Sequence, residues 1–417
     1  MQMNYSQSKE WLFSQKIAMK GFTLAKIRKL IKLAKINTNS FKTIHVAGSN
    51  GKGSTCAFIA QILKEEGCKT GLYTSPHLVE PTERITINGT KISEKKFAKY
   101  TNYFRKLMQK KKMGANFFEI ITAMAFKYFD DEKIEFLVAE TGMGGRLDAT
   151  NVLDGIVNVI TTISLEHTQY LGKTITKIAK EKAGIIKNNS STIAAKNNKG
   201  FEIIEKTARV KKSELVVPKF EIISSSQNGQ EFLLKNNHEL GKLKIKMLGS
   251  YQCENACLAA TAMLSLRKKG FFVSNGAIRK GLLKTKWKGR LEIIKTKPII
   301  LFDSAHNPEG WKKLFKALKL FSYKKLFVVF AAMNDKDLNY VKVKLKKANL
   351  VFLTRIDSER AENPKNLRKK IGFGEIIEKP AEAVKTAVKE AGKNDLVLVA
   401  GSIYLAGEAY SSLGKKI

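Results

Sequence analysis

Acidic residues, cysteine, histidine and proline are all scarce in this sequence. Against 75 lysines and arginines stand 37 aspartates and glutamates, a formal charge of +38 at pH 7, and the 417 residues include 4 cysteines, 5 histidines and 7 prolines. The cysteines, Cys56, Cys68, Cys253 and Cys257, make no metal-ligand spacing. Cys253 and Cys257 are four apart in YQCENACLAATAML, a helical pattern in which they read as small core side chains. No run approaches the roughly 18 uncharged apolar residues of a membrane span. The opening MQMNYSQSKEWLFSQKIAMKGF lacks the apolar stretch and cleavage site of a secretory signal. A cytoplasmic protein is therefore expected, with thiols reduced rather than paired. The positive excess is mostly lysine, spread along the chain without a basic tail or arginine cluster. It favours anionic partners, and a lysine-rich proteome is its plainest origin. Nucleic-acid binding would call for aromatic stacking residues or a focused basic groove, and the sequence shows neither pattern. No nucleic-acid and no membrane partner is expected, and the chain is expected to be a monomer.

What is present is apolar patterning. Hydrophobic residues make up 43%, enough for substantial cores, and the length suggests two domains. Residues 1–42 read as helices. FKTIHVAG reads as a short strand, STCAFIAQILKEEG as a helix closed near Gly67, and KTGLYTS as a second strand. FFEIITAMAFKYFDD is helical, IEFLVAE and GIVNVITTIS are strands, and TITKIAKEKAGII is a helix. The short alternating runs of 200–250, such as FEIISSS and QEFLLK, predict antiparallel strands. After GLLKTKWKGRLEII, the apolar segments alternate again between strand and helix, from KPIILFDSAHN to DLVLVAGS. The expected fold class is α/β, with a P-loop NTPase-like N-terminal domain, 1–285, and a second, smaller Rossmann-like α/β domain, 286–417.

Between the first strand and its helix lies GSNGKGS, residues 48–54. It departs from G-x-x-x-x-G-K-[ST], since Val46 stands five before Gly51 and Gly53 separates Lys52 from Ser54. The strand–turn–helix setting still predicts backbone N–H groups around a phosphate, with Lys52 reaching a β- or γ-phosphate and Ser54 or Thr55 supplying a hydroxyl. Ser75 and Glu140 each end a strand, where an oxygen ligand for Mg²⁺ belongs. Of the histidines, His45, His77, His167, His238 and His306, four stand in strand-end or loop segments with other polar residues, and two are paired there with an acid or amide at a strand end: His167 in SLEHT and His306 in SAHNP. Both are candidates for function. Lys182, in IAKEKAGII, reads by itself as a solvated helix lysine.

HVAGSNGKGS, TSPHL, ERITING, FFEIITAMAF, AETGMGGRLDATN, ISLEHTQYLGKTITKIAKEKAGIIK, GRLE, DSAHNP and AMNDKD follow in that order. Together they resemble folylpolyglutamate synthase/dihydrofolate synthase, a branch of the Mur ligase family, from about residue 40 to GSIYLAGE. The resemblance implies an ATP-dependent amide ligase: a substrate carboxylate takes the γ-phosphoryl group of ATP, and L-glutamate displaces phosphate from the acyl phosphate. Its substrates would be ATP, L-glutamate and dihydropteroate or a reduced folate. It further implies that Gly51, Lys52, Gly53 and Ser54 hold phosphates, and that Asn255, Arg290 and Asp303 contact the nucleotide. Ser75 and Glu140 would bind one Mg²⁺. His167 would bind a second, with a carbamylated Lys182. Phe117, Phe118 and Glu119, with Leu147, Asp148 and Ala149, would line the pteroate pocket, and His306 would lie near the reacting carboxylate. The C-terminal domain would contribute to ATP and glutamate binding. One departure is VEPT, Val79–Thr82, where the family usually carries a bulkier or basic-aromatic stretch near the pterin. A cell-wall amino-acid ligase of the same family is the nearest alternative, and GRLDATN and DSAHNP argue against it.

Overall fold

The computed structural model describes residues 2–15 and 23–413. Residues 16–22, within the helices expected over 1–42, and 414–417, at the end of the expected second domain, lie outside the described residues. By internal contacts the chain divides into two compact units. The first comprises Met1–Glu221, Phe232–Lys244 and Glu254–Thr285; the second comprises Ile222–Glu231, Ile245–Cys253 and Lys286–Ile417.

The first unit is built on an eight-stranded sheet. In chain order its strands are β1 (Lys42–Ala47), β2 (Thr70–Tyr73), β3 (Ile85–Ile87), β4 (Thr90–Lys91), β5 (Phe136–Glu140), β6 (Gly155–Ile160), β7 (Ser191–Ala194) and β8 (Glu214–Val216). In space they run β4-β3-β2-β5-β1-β6-β7-β8. From β2 to β8 every pairing is parallel, and β3 and β4 extend one edge antiparallel. β2, β5 and β7 are buried along their whole length, as strands covered on both faces must be, and their burial does not alternate. The chain leaves β1 for β2 on one side and later crosses from β5 to β6 on the other. Open α/β sheets bind ligands where the winding direction changes, at the carboxyl ends of the strands.

The helix Lys52–Glu65 follows β1 and is buried through most of its length. Helix Asn275–Lys284 lies against it so closely that a Cβ on Gly281 would come within 2.5 Å of the Ile62 Cα. The aromatic-rich helix Phe117–Asp131 forms the centre of a core with Tyr73, Phe97, Phe104, Leu137 and Leu12. The antiparallel strands expected over 200–250 begin only at Phe220, as β9 (Phe220–Ser226), β10 (Gly229–Leu234) and β11 (Lys242–Ile245), which form a separate three-stranded sheet. Before them, Phe201–Val210 is a helix burying Phe201, Ile204 and Ala208, a spacing of three and four rather than two, and β8 joins the main sheet.

The second unit carries a six-stranded sheet of β12 (Glu292–Thr296), β13 (Ile299–Phe302), β14 (Leu326–Phe330), β15 (Leu350–Leu353), β16 (Glu375–Ile376) and β17 (Leu396–Ala400), ordered β12-β13-β17-β14-β15-β16. All pairings are parallel except the edge strand β12. Trp311, on the helix Pro308–Ala317, is fully buried in the core on one face.

Gly281 and Gly276 share one helix but differ in what a methyl group would meet: Ile62 backbone at 2.5 Å for Gly281, and nothing nearer than the Ser274 hydroxyl at 3.8 Å for Gly276. Gly281→Ala is expected to destabilise the protein by about 1–3 kcal/mol through overpacking. Gly276→Ala should be neutral or stabilising by up to about 1 kcal/mol. Urea unfolding of the two variants checks this, and equal effects would show that the helix contact is looser than described.

Candidate active site

The turn after β1 is held open by its neighbours. Ser49 N–H donates to the Thr162 carbonyl (2.6 Å) and Asn50 N–H to Thr162 Oγ1 (3.2 Å). Ser49 Oγ accepts from Ser164 N–H (3.0 Å), and Thr161 Oγ1 donates to the Asn50 carbonyl (2.8 Å). Two glycines are required here. Gly48 has φ +153°, and a Cβ there would lie 1.8 Å from Thr161 Oγ1; Gly51 has φ +88°, and a Cβ would lie 2.3 Å from Asn255 Oδ1. Asn255, on helix Ser250–Lys268, is therefore brought onto the turn. Lys52 is the first residue of its helix, partly buried, and folds back to donate from Nζ to the Gly48 carbonyl (3.0 Å). Gly53 and Ser54 follow in the first helical turn and are buried, and Thr55 Oγ1 is buried without a hydrogen-bond partner.

Beside the turn, Glu140 ends β5 and is buried, and Ser75 N–H donates to its Oε2 (3.0 Å). The main chain at Ser75, two residues past the end of β2, is thereby tied to Glu140. Past β6 the chain reaches Glu166 and His167, whose φ of +45° begins the short helix Thr168–Leu171. Lys182 is not solvated: it is 1% exposed, and its Nζ is 2.6 Å from Glu166 Oε1. Burial lowers the Lys182 ammonium to about 8, even against the attraction of Glu166. Burial works to raise the Glu166 carboxyl, but the charges of Lys182 and Lys52 outweigh it and hold it well below the ordinary carboxylate range. Among the described residues, no three His, Cys, Asp or Glu side chains gather as a metal cage.

The residues expected to line an aromatic pocket fall at the start of helix Phe117–Asp131 and in the loop after β5. Phe118 packs on Gly142, where a Cβ would strike its ring at 2.4 Å. Glu119 is engaged in a capping box, its Oε2 accepting from Asn116 N–H (2.8 Å). Asp148, buried, accepts from Met143 N–H (2.9 Å), Thr150 N–H (3.0 Å) and Thr150 Oγ1 (2.6 Å), which fixes the loop around the partly buried Leu147 and the buried Ala149. Burial raises the Asp148 carboxyl against these bonds.

In the second unit, Asp303 follows β13 and its two oxygens accept from Leu291 N–H and Ala305 N–H, both at 2.8 Å. Burial raises its carboxyl, opposed by Arg290. Arg290 donates to Ser304 Oγ. His306 Nδ1 meets the Ser304 carbonyl at 2.9 Å, just before the helix that Asn307 caps.

Two family domains match this chain: the Mur ligase middle domain over residues 46–263, and the Mur ligase glutamate ligase domain over 289–403. The chain is 32% identical to the dihydrofolate synthase/folylpolyglutamate synthase of Bacillus subtilis, over 97% of this chain and 98% of that protein. The chain belongs to the Mur ligase family, in its folylpolyglutamate synthase/dihydrofolate synthase branch. Two solved structures of that branch superpose over 99% of this chain and 98% of theirs: Escherichia coli FolC in complex with DHPP and ADP (TM-score 0.87, 26% identical) and the Yersinia pestis bifunctional enzyme with AMPPNP and Mn ion (TM-score 0.86, 25% identical).

Sequence reasoning missed three residues that this branch member builds into its site region. Glu166 was visible in SLEHT, but its partner lies 16 residues away. Thr161 and Thr162 stand in the strand-end run TTIS, where nothing marks them as the walls of the glycine turn. Glu166→Gln would leave the Lys182 ammonium without its counterion, at an expected cost of about 3–5 kcal/mol. Adding Lys182→Met should recover most of that loss, because both charges then leave the interior. Urea unfolding without nucleotide or metal tests this, and a Glu166→Gln cost below about 1 kcal/mol would mean that the pair is solvated.

Proposed function

We propose that this chain joins L-glutamate to dihydropteroate, to a reduced folate or to both, with release of ADP and phosphate. It is an ATP-dependent amide ligase of the dihydrofolate synthase/folylpolyglutamate synthase type. The single observation that carries the reading from family to chemistry is the glycine turn at Gly48–Ser54, held open by Thr161, Thr162 and Ser164 with Lys52 at its rim.

In the proposed mechanism the amides of Gly51, Lys52 and Gly53 and the hydroxyl of Ser54 hold the ATP phosphates at the helix N-terminus. Lys52 exchanges the Gly48 carbonyl for phosphate oxygen. Asn255 lies against the turn, and Arg290 and Asp303 are assigned nucleotide contacts. The substrate carboxylate attacks the γ-phosphorus and ADP leaves; the glutamate amine then attacks the acyl carbon and phosphate leaves, so that one amide forms for each ATP split. His306 is assigned a place beside the reacting carboxylate. Phe117, Phe118, Glu119, Leu147, Asp148 and Ala149 form the pteroate side. On that side Glu119 and Asp148 act through the backbone that they fix.

Ser75 and Glu140 fit a hard dication, which takes one or two carboxylates and keeps several waters. Mg²⁺ bound there would neutralise charge on the transferring phosphoryl group. The finer reading places a second ion at His167 with Lys182 carrying a carbamate. Carbamylation needs a neutral amine, and the buried site of Lys182, with its lowered ammonium, supports one.

ADP release with L-glutamate and, in turn, dihydropteroate and tetrahydrofolate tests the reaction. Activity with neither would overturn it. Lys52→Ala should lower turnover by about 100-fold or more with the fold intact, and near-normal turnover would remove Lys52 from the chemistry. Lys182→Arg should be at least as damaging as Lys182→Ala, because arginine cannot form the adduct and keeps a positive charge where an anion is needed. An active Lys182→Arg enzyme excludes the carbamate.

A further inference from the structure

Helix Tyr5–Ser14 buries Ser8 and Leu12 and packs Tyr5 and Trp11 against the core of the first unit. Polar ties fix it further. Met3 N–H donates to Asn102 Oδ1 (2.9 Å), and Asn102 Nδ2 returns a bond to the Met3 carbonyl (2.8 Å). Tyr5 OH donates to Glu80 Oε2 (2.6 Å), and Lys9 Nζ, one helical turn on, donates to both Glu80 oxygens (3.1 and 3.2 Å). Glu80 is itself held in place, because Glu83 accepts the N–H groups of Leu78, Val79 and Glu80 (2.8, 3.0 and 2.6 Å) and ties the loop into a capped turn. Glu80 is thus a clasp between a capped turn and this helix.

Phe13 stands in the last turn of the same helix. There Phe13 lies parallel to Phe117, ring centroids 5.3 Å apart and planes within 8°. It also sits 6.1 Å from the His77 ring. The Arg84 guanidinium lies 5.1 Å from the centre of the Phe117 ring and donates to His77 Nδ1 (2.8 Å). Phe117, His77 and Arg84 are all buried, whereas Phe13 is 54% exposed. A large aromatic ring left in water, stacked on the first residue of the segment assigned to the pteroate pocket, is a half-finished stack. It offers a π-surface to a further flat ring.

We propose that Phe13 is a wall of the pteroate site, stacking on the aromatic part of the substrate. We also propose that Glu80 is a positioning residue that holds Phe13 there through Tyr5 and Lys9. The inference rests on the ligase reading above, and it gives Glu80 a role at the position where the loop departs from the family's usual stretch.

The test is steady-state kinetics of the full chain with dihydropteroate or tetrahydrofolate as the varied substrate. Phe13→Ala is expected to raise the KM for that substrate by about tenfold or more, the order of a lost ring–ring stack, and to leave KM for ATP and for L-glutamate unchanged. Phe13→Tyr should restore it. Glu80→Ala should raise the same KM several-fold alone and add nothing to Phe13→Ala, as expected if Glu80 acts only through Phe13. Thermal unfolding of each variant accompanies the kinetics. A Phe13→Ala enzyme with reduced stability but unchanged KM values overturns the proposal, since the ring would then merely cover Phe117. An equal rise in the KM for ATP also overturns it, and additive effects of the two substitutions overturn the role of Glu80. A wild-type chain that releases no ADP with any pterin substrate overturns the ligase reading and this inference with it, whereas an active wild type with an indifferent Phe13→Ala overturns this inference alone.

Discussion

The glycine turn is rigid because its amides are bonded sideways to the chain leaving β6. Ser49 and Asn50 donate to Thr162, and Ser49 exchanges bonds with Ser164. β1 and β6 lie side by side in parallel, Ala47 opposite Ile160, so their carboxyl-end loops leave the sheet at one level. A slip of one residue would turn Thr161 away from Gly48 and reverse the faces of the strand. The close approach also explains the glycine at 48, since Thr161 Oγ1 occupies the space of any Cβ. The departure from the common phosphate-loop spacing is therefore compensated by tertiary contacts. A loop short of one glycine at its start is held in shape by threonines from the neighbouring strand.

Much of this was legible in the sequence. Helix Phe117–Asp131 begins and ends where FFEIITAMAFKYFDD does, because Asn116 and Glu119 form a capping box ahead of a long apolar run. The strand end at Glu140 was readable from an apolar run that stops at a polar residue, and that before Ser75 to within two residues. The buried cysteines of YQCENACLAATAML were readable as well. Lys182 was not, although a signal existed. It shares a stripe with Ile178, Ala179 and Ala183, all buried, and a lysine on that stripe must either leave it or find an anion. Glu166 is that anion, and periodicity within one helix cannot name a partner on another segment. The clasp at Glu80 was illegible for the same reason, since Tyr5 and Lys9 lie more than 70 residues away. The helix Phe201–Val210 was lost among short alternating runs, where the period of two is real only from β10 onward.

The large positive charge is handled differently at different places. Near the glycine turn, cations are few and engaged, Lys52 with the Gly48 carbonyl and Lys182 with Glu166. Elsewhere lysines collect where the fold, and not the sequence, brings them together. In the second unit, Lys312, Lys316, Lys319, Lys344 and Lys347 surround a groove of about 660 Å³ that Phe315, Phe321 and Tyr323 also line. The sequence shows no such focus, because it comes from two helices separated by a strand. The groove reaches Leu326 at the start of β14, the edge of that sheet opposite Asp303 and His306, which follow the end of β13, a strand parallel to β14 with β17 between them. Its field is separated from Asp303 and His306 by the length of the sheet. Beyond about 8 Å at physiological salt, exposed charges are largely screened.

The buried carboxylates share a further feature. Glu140 accepts from the amide of Ser75, Asp148 from those of Met143 and Thr150, and Asp303 from those of Leu291 and Ala305. A carboxylate pinned by main-chain N–H groups cannot swing onto a nearby lysine, and those donors supply part of the solvation that burial removes. Lysine is then left with partners it can exchange, such as the carbonyl that Lys52 now holds. Donors and acceptors fixed before a substrate arrives need no reorganisation when charge moves, the property that makes a low-dielectric site effective for transfer of a charged group. Glu166 is the exception, pinned by Lys182 instead of by an amide. It is the buried acid whose environment depends most on the chemical state of a single side chain. In the first unit, the sheet edge thus combines the backbone-anchored acids Glu140 and Asp148 with one exchangeable ion pair, and a change in the state of Lys182 would act on Glu166 first.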